Sequence, residues 1–188
     1  MIIDNPLIIV ELSINNNLLL NNDMTSKKID KKVLVALIIE NLEQELSQAI
    51  NAANEAHAAA VDDQSVAETQ YDTLAIEASY LAEGQSRRVQ VLQEALLNYQ
   101  ELTLVAFDEN KPIALSALVQ LFADSKKQHW FFIGPAAGGF RCQLNEQHIT
   151  VITPKSPIGV VLMREFEGDN IDVMLGNGRL TDYIASVD

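Results

Sequence analysis

The stretch IENLEQELSQAINAANEAHAAA, residues 39–60, decides the fold of the first half of the chain. Its apolar residues recur at alternating intervals of three and four, the spacing of a coiled-coil seam: Ile39, Leu42, Leu46, Ala49, Ala53, Ala56 and Ala60. Between Asp30 and Leu102 there is no proline and a single glycine, Gly84. Because proline and glycine interrupt helices, this region is expected to form long helices rather than strands and turns.

A second helix is predicted to follow, with a weaker seam at Leu74, Ala78, Leu81, Gln85, Arg88, Leu92, Ala95, Tyr99 and Leu102. Between the two helices, Ser65 followed by Glu68 has the spacing of a capping box, so the second helix should start near Ser65. We therefore predict an antiparallel hairpin over residues 30–103, about 45 Å long, with its tip near residues 61–66. Its seam changes from Leu to Ala toward the tip, which predicts a slender and less stable end.

The spacing of the apolar residues changes after the hairpin. A linker at 104–111 precedes short apolar and aromatic runs separated by glycine and proline, which predict strands within 115–124, 129–134, 149–153, 171–175 and 180–187. The segment GNG at 176–178 is interpreted as a hairpin turn, and Ser156 with Pro157 as the N-cap and first residue of a short helix. Residues 112–188 are thus predicted to form a small antiparallel sheet with one short helix, which makes the protein α+β.

The net charge of −13 excludes general binding to duplex nucleic acid, which requires a basic surface, so sequence-specific DNA binding is not expected. The charge is concentrated in the hairpin, where Glu40 to Glu83 contains ten acidic residues and no Lys or Arg. An acidic helical stretch is most often a solvated face. Its coincidence with a slender hairpin favours a functional role instead.

The lone cysteine, Cys142, excludes an intramolecular disulfide framework and is interpreted as a packing residue in a reducing cytoplasm. Residues 1–29 form an extension, predicted to be either disordered or the product of a mis-assigned start, with Met24 as an alternative start. The extension lacks the basic start and the uninterrupted apolar stretch of a signal peptide. No apolar run reaches the roughly 18 residues of a membrane span, so no membrane association is expected.

Three segments resemble the Gre transcription elongation factor family. Tyr71 to Leu96 is similar to the second helix of the family's coiled coil, and FFIGPAAGG (131–139) to a strand that ends in a glycine turn. The segment TPKSPIGVVLMREFEGDNIDV (153–173) resembles the most recognisable Gre signature, a Ser-Pro-Ile/Leu-Gly helix start followed by a Gly-Asp turn into a strand.

The resemblance implies an FKBP-like fold for residues 112–188 and a monomer that binds RNA polymerase. The C-terminal domain would dock at the rim of the secondary channel, and the hairpin would reach inward, with only indirect contact to RNA. The residues that the resemblance implies for polymerase binding are Ser156, Pro157, Ile158 and Gly159.

In Gre factors an Asp-x-x-Glu pair at the hairpin tip helps to hold a Mg²⁺ ion shared with the polymerase, as suits a hard cation that prefers oxygen ligands. Aligned through Arg88, that pair falls on Glu68 and Tyr71 of this chain, and aligned through Tyr71 it falls on Gln64 and Ala67. Neither alignment reproduces both acids. The candidate metal ligands that remain at the tip are Asp62, Asp63, Glu68 and Asp72.

Capping of the second helix, with the acids opposing the helix dipole, is the alternative role for these residues. We therefore expect no independent active site in this chain and no cofactor beyond a shared Mg²⁺. Three functions stay open: stimulation of RNA cleavage, polymerase modulation without cleavage in competition with Gre factors, and a coiled-coil interaction or chaperone-like module.

Other candidate sites are weaker. The three histidines, His57, His129 and His148, have no ligand spacing on a common element and are interpreted as surface or packing residues. Prolyl isomerase activity would follow only from analogy with FKBP proteins. Arg87 and Arg88, the one basic pair of the hairpin, are expected to pair with Glu83 or Glu94.

Overall fold

The structure, a computed structural model, describes residues 28–60, 73–126, 128–176 and 178–188. The chain divides into two compact units. The described residues of Ala36–Glu101 form the helical unit, and the described residues before Ala36 form the sheet unit together with those of Leu102–Asp188.

Two long helices make up the hairpin, α1 at Lys31–Ala60 and α2 at Thr73–Gln100. Helix α1 starts where the side chain of Asp30 accepts the backbone N–H of Lys32 at 2.8 Å, which satisfies one of the unpaired N–H groups of the first turn. The predicted long helices are confirmed. The predicted tip at 61–66 and the helix start near Ser65 lie outside the described residues.

The seam of α1 agrees with the predicted spacing, since Leu42, Ala49 and Ala56 are all buried. At the base of the helix, however, Ile38 is fully buried while Ile39 is only half-buried. The burial stripe thus shifts by one residue at this end. The seam changes from Leu to Ala along the helix, as the sequence predicts.

The predicted seam of α2 is wrong in the middle of the helix, because Leu81 is 57% exposed and Arg88 is exposed. The less exposed residues in the middle lie one position further along, at Ala82 and Val89, while Leu96 is buried beside Ala95 nearer the end of the helix. Both spacings share Gln85, Leu92, Ala95 and Tyr99, so periodicity alone did not separate them. The chosen spacing required a charged Arg88 in the seam, whereas the observed one places the apolar Val89 there.

Among the described side chains, one ion pair joins the two helices directly, between Arg88 Nη2 and Glu45 Oε2 at 3.0 Å. The expected pairing of Arg87 with Glu83 is confirmed at 2.6 Å, one helical turn apart. Arg88 therefore pairs across the hairpin rather than with Glu94.

The sheet unit contains six strands and two short helices. In chain order these are β1 (Leu118–Leu121), α3 (Phe122–Ser125), β2 (His129–Ile133), β3 (Arg141–Leu144), β4 (Gln147–Ile152), α4 (Pro157–Leu162), β5 (Asn170–Leu175) and β6 (Gly178–Val187). The spatial order is β3-β4-β2-β1-β6-β5. Strands β5 and β6 pair with Leu175 opposite Gly178, as the predicted turn at 176–178 requires, although Asn177 itself lies outside the described residues. Helix α4 begins at the predicted Pro157.

The sheet is mixed rather than antiparallel as predicted, because β2 and β4 pair in parallel from His129 with His148 to Ile133 with Ile152. Strand β3, which the sequence did not predict, explains the difference. It reverses the chain after β2, and the turn at 145–146 reverses it again, so β4 runs in the same direction as β2. Helix α3 was also not predicted.

Apolar residues are buried on both faces of the sheet, with Leu118, Phe132 and Val151 on one face. The other face carries a core cluster of apolar residues from β1, β2, β4, β5 and β6 together with Leu162 of α4. Val119, Ile133, Leu162 and Ile184 are among its residues with at most 1% exposure. Within the described residues, no helix has the length and apolar character needed to cross a membrane.

Candidate interaction site at the start of helix α4

The start of α4 is a helix cap in which the Ser156 hydroxyl both accepts and donates a hydrogen bond. Its Oγ accepts the backbone N–H of Gly159 at 3.1 Å and donates to the carbonyl oxygen of Thr153 at 2.8 Å. Ser156 has an extended backbone, and Pro157 follows at a position where a missing N–H has no cost. The predicted N-cap is confirmed. Because the Ser156 hydroxyl is committed at both ends, it is not available as a nucleophile.

Gly159 occupies a position that only glycine fits. A Cβ atom there would lie 2.0 Å from the carbonyl oxygen of Thr153 and 2.9 Å from the Ser156 Oγ. The first contact is with backbone, which cannot rotate away. Gly159 is therefore required by the close approach of the Thr153–Ser156 turn to the first turn of α4.

Helix α4 leaves an apolar surface toward solvent. Leu162 is fully buried and Ile158 packs against the core, whereas Pro157 is exposed and Val160 is 61% exposed. These two residues are the apolar contribution of α4 to the protein surface.

Two exposed cations flank α4, Lys155 before it and Arg164 after it. Neither has a carboxylate partner among the residues that the structure describes. The backbone of Arg164 has φ +75° and donates its N–H to the carbonyl oxygen of Ile113 at 2.9 Å, which fixes the turn after α4. The arrangement suits recognition of a protein surface that presents both apolar and acidic groups.

The four candidate metal ligands at the hairpin tip, Asp62, Asp63, Glu68 and Asp72, lie outside the described residues. In the part of the chain that the structure covers, no group of three or more His, Cys, Asp or Glu side chains is placed to hold a metal ion. The metal assignment therefore stays a prediction.

No family model matches this chain, and no curated protein matches it. Several solved structures are similar to it, among them the following three. GreA factor homolog 1 (Gfh1) of Thermus thermophilus is 17% identical, with a TM-score of 0.32, over 80% of this chain and 94% of that one. A second structure, of the transcription factor Gfh1, is 17% identical with a TM-score of 0.34, over 79% and 92%. Thermus aquaticus Gfh1 is 18% identical with a TM-score of 0.33, over 79% and 92%.

TM-scores of this size assign neither a family nor a function to the chain. The α+β composition, the two long helices and the six-stranded mixed sheet are properties of the structure itself.

Cys142 on β3 has the properties of a packing residue. It is half-buried, and burial raises the pKa of its thiol to about 11. Because the thiolate is the reactive form, the thiol is inert near neutral pH. The interpretation of Cys142 from sequence agrees with this geometry.

No pattern in the sequence indicated a polar network around His129. Its Nε2 lies 2.8 Å from the Thr150 Oγ1 and its Nδ1 3.4 Å from the Asp124 Oδ2. The network joins α3, β2 and β4, and His148 is the register partner of His129. It depends on the parallel β2–β4 pair, so no local pattern revealed it.

Proposed function

We propose that this chain is a transcription elongation regulator that binds RNA polymerase and acts through its secondary channel. The observation that carries the proposal is a two-helix hairpin whose sequence from Glu40 to Glu83 has ten acidic residues and no Lys or Arg. The resemblance of Thr153 to Val173 to the Gre signature supports the same function.

The physical argument concerns charge and length. Helices of 30 and 28 residues reach about 45 Å at a rise of 1.5 Å per residue. The Ala-rich end of the α1 seam, at Ala49 and Ala56, allows the helices to pack closely. A narrow acidic rod is suited to a confined channel that leads to a Mg²⁺ centre, since Mg²⁺ prefers carboxylate and water oxygens.

In this proposal the surface of α4 is the docking site. Pro157 and Val160 supply exposed apolar contacts, and Lys155 and Arg164 favour an acidic partner. An FKBP-like fold for residues 112–188, a monomeric state and a cytoplasmic location belong to the proposal as well. A Mg²⁺ ion shared with the polymerase would be held by acids of the tip.

A non-cleaving modulator is a second candidate, favoured by one observation. In neither alignment with the family does the tip keep both acids of the Asp-x-x-Glu pair: the pair falls on Glu68 and Tyr71 in one alignment and on Gln64 and Ala67 in the other. Such a protein would occupy the channel and compete with Gre factors without cutting RNA.

Transcript length separates the two candidates. Purified protein is added to a stalled, backtracked elongation complex, and the RNA is resolved on a gel. Shortened RNA that disappears in the Asp62→Ala, Asp63→Ala, Glu68→Ala variant supports cleavage. Glu55→Ala is the matched control, because it removes one exposed hairpin carboxylate outside the tip. Binding without shortening supports the modulator.

Docking is tested with a pair of exposed apolar residues. Val160→Asp on α4 should weaken polymerase binding roughly tenfold or more, because it places an acid where an acidic partner is expected. Met174→Asp on β5, where the side chain is 71% exposed, should leave binding unchanged. If the wild-type protein does not bind polymerase at all, the proposal fails and the interaction-module alternative takes its place.

A further inference from the structure

Five polar side chains share one face of the sheet unit at the β3 edge, one of them Gln143 of β3, the register partner of His148 on β4. His129 on β2 is the register partner of His148 on β4, and Arg141 on β3 is the register partner of Thr150 on β4. Register partners on neighbouring strands lie on the same face, as do residues two apart along a strand. We call His129, Arg141, Gln143, His148 and Thr150 the polar face.

The orientation of the His129 ring is fixed on three sides. Asp124 Oδ2 of α3 lies 3.4 Å from Nδ1, and the Oγ1 of Thr150 lies 2.8 Å from Nε2. The ring also packs edge-on against Phe131, with centroids 4.7 Å apart. A half-buried imidazole held in this way has little freedom to change its hydrogen-bond partners.

The protonation state of His129 decides whether Thr150 can donate to a ligand. In the neutral ring, the proton on Nδ1 goes to Asp124 and Nε2 accepts the Thr150 hydroxyl, so that hydroxyl is used internally. In the charged ring both nitrogens donate, so Nε2–H goes to Thr150 Oγ1 and the Thr150 hydroxyl proton is released for an outside acceptor. Protonation therefore adds a positive charge and a donor to the polar face at once.

The charged groups around His129 favour an anion on its open side. Arg141 is exposed and has no ion-pair partner in the described ranges, and His148 is exposed as well. On the α3 side, Asp124 already faces the Nδ1 of His129. Asp182 of β6, which also contacts α3, is occupied by the backbone N–H groups of Ala123 and Tyr183. Donors thus gather on the polar face although the chain as a whole is strongly acidic.

We propose that the polar face binds a phosphoryl group, and that it binds most tightly when His129 is protonated. This proposal does not rest on the proposed function. The donors come from three strands: a guanidinium on β3, a hydroxyl and an imidazole on β4, and the charged ring on β2. Neighbouring strands lie about 4.8 Å apart, so the donors form three rows on one face of the sheet. Three rows of donors match the three oxygens of a phosphoryl group better than the two oxygens of a planar carboxylate.

The test is a titration followed by two-dimensional NMR of the backbone amides and the histidine rings. Inorganic phosphate and adenosine monophosphate are the ligands, with chloride at matched ionic strength and acetate as comparisons. We expect saturable shifts centred on His129, Arg141 and Thr150 with both phosphoryl ligands, and weaker shifts with acetate. Tighter binding of adenosine monophosphate would identify a nucleotide as the source of the phosphoryl group.

Sulfate tests the role of protonation, because it is tetrahedral and keeps its charge over the range in which imidazole titrates, about pH 5 to 8. Its affinity should fall roughly tenfold when the His129 ring loses its proton, since one charge-assisted interaction is lost. His129→Gln should remove more of this pH dependence than His148→Gln, because the ring of His129 is the one bonded to the Thr150 hydroxyl. Affinity that does not depend on pH in the wild-type protein would overturn the role given to His129.

Two matched pairs of variants test the site itself. Arg141→Gln should lower the affinity for phosphate on the order of tenfold, whereas Arg179→Gln, which removes another exposed arginine of the sheet unit, should change it less than about twofold. Thr150→Val should weaken binding, and Thr150→Ser, which keeps the hydroxyl, should retain it. Thermal melting checks that each variant is folded. Equal effects of the two arginine variants, or shifts spread over all exposed cations, would overturn the proposal.

Discussion

The helical unit and the sheet unit are built from the same apolar residue types, but they differ in how well they tolerate amino-acid substitutions. In the helical unit a single stripe is buried, and in α1 it narrows from Leu42 to Ala49 and Ala56. In the sheet unit, residues such as Ile133 and Ile184 are at most 1% exposed, and the turn before α4 leaves no room for a methyl group at Gly159. A hairpin with a one-sided seam can accept substitutions over most of its surface. A closely packed sheet unit cannot.

The largest predicted contrast is between two glycines. Gly159→Ala should destabilise the sheet unit by about 3 kcal/mol, because the added Cβ meets the carbonyl oxygen of Thr153 at 2.0 Å. Gly84→Ala in α2 should instead stabilise the hairpin by about 0.5–1 kcal/mol, since nothing lies within 4 Å and alanine favours helix. Chemical denaturation of both variants measures the contrast. Equal effects would remove the distinction between the units.

A pair of leucines tests the corrected seam of α2. Leu92 is 6% exposed and Leu81 is 57% exposed. Leu92→Ala should therefore cost about 2 kcal/mol, at the lower end for a buried leucine because the hairpin packs on one side only. Leu81→Ala should cost less than about 0.5 kcal/mol. Helical circular dichroism during urea unfolding reports both, and a larger cost at Leu81 would restore the seam predicted from the sequence.

Local sequence was sufficient for the parts of the fold that depend on neighbours in the chain. The two long helices, the cap at Ser156 and the turn at 176–178 were predicted because each depends on spacing within a few residues. Strand β3 and the parallel β2–β4 pair were not, because RCQL is only four residues long and has no β-branched or aromatic residue, and strand direction depends on distant pairing. The error at Leu81 arose because two seams with the same period differ only in which face the partner helix covers.

The third prediction probes the sheet unit through Cys142, whose pKa burial raises to about 11. Between the two pKa values the folded protein keeps the thiol protonated, whereas the unfolded chain, with an ordinary thiol pKa of about 8.5, loses the proton. This contribution to stability is full below the unfolded pKa and is lost as pH rises through about 11. After allowing for partial exposure, we expect it to be worth about 1 kcal/mol.

The rate of alkylation by iodoacetamide as a function of pH measures this directly. The half-maximal rate for Cys142 should lie near pH 11. The control is Ser86→Cys in a Cys142→Ser background, which puts a thiol on the exposed surface of α2. It should react half-maximally near about pH 8.5. Identical profiles would contradict the burial of Cys142.

The smallest effect is expected for the ion pair between Glu45 and Arg88, which joins the two helices. Both side chains are substantially exposed, so a double-mutant cycle with Glu45→Gln and Arg88→Gln should give a coupling of about 0.5 kcal/mol that decreases at high salt. A coupling above about 1.5 kcal/mol would show that the pair is shielded from water and that the hairpin is less tolerant than its seam indicates.

The candidate sites differ in how far the sequence could predict them. Ser156 and Gly159 lie within four residues of each other, so a motif was enough to predict them. Asp124, His129 and Thr150 come from three elements, and only the pairing of β2 with β4 brings the last two together. Sequence spacing could not predict this network, and the histidines were interpreted as scattered for that reason.

The register of β1 also affects the order in which parts of the protein can fold during synthesis. Val119 pairs with Val187 on β6, near the end of the chain that the structure describes. At about 5–20 residues per second, a ribosome needs several seconds to make the intervening chain. The helical unit is complete in sequence well before that, so α1 and α2 can pair while β1 still has an open edge. A nascent-chain chaperone that covers β1 would have its greatest effect in this interval.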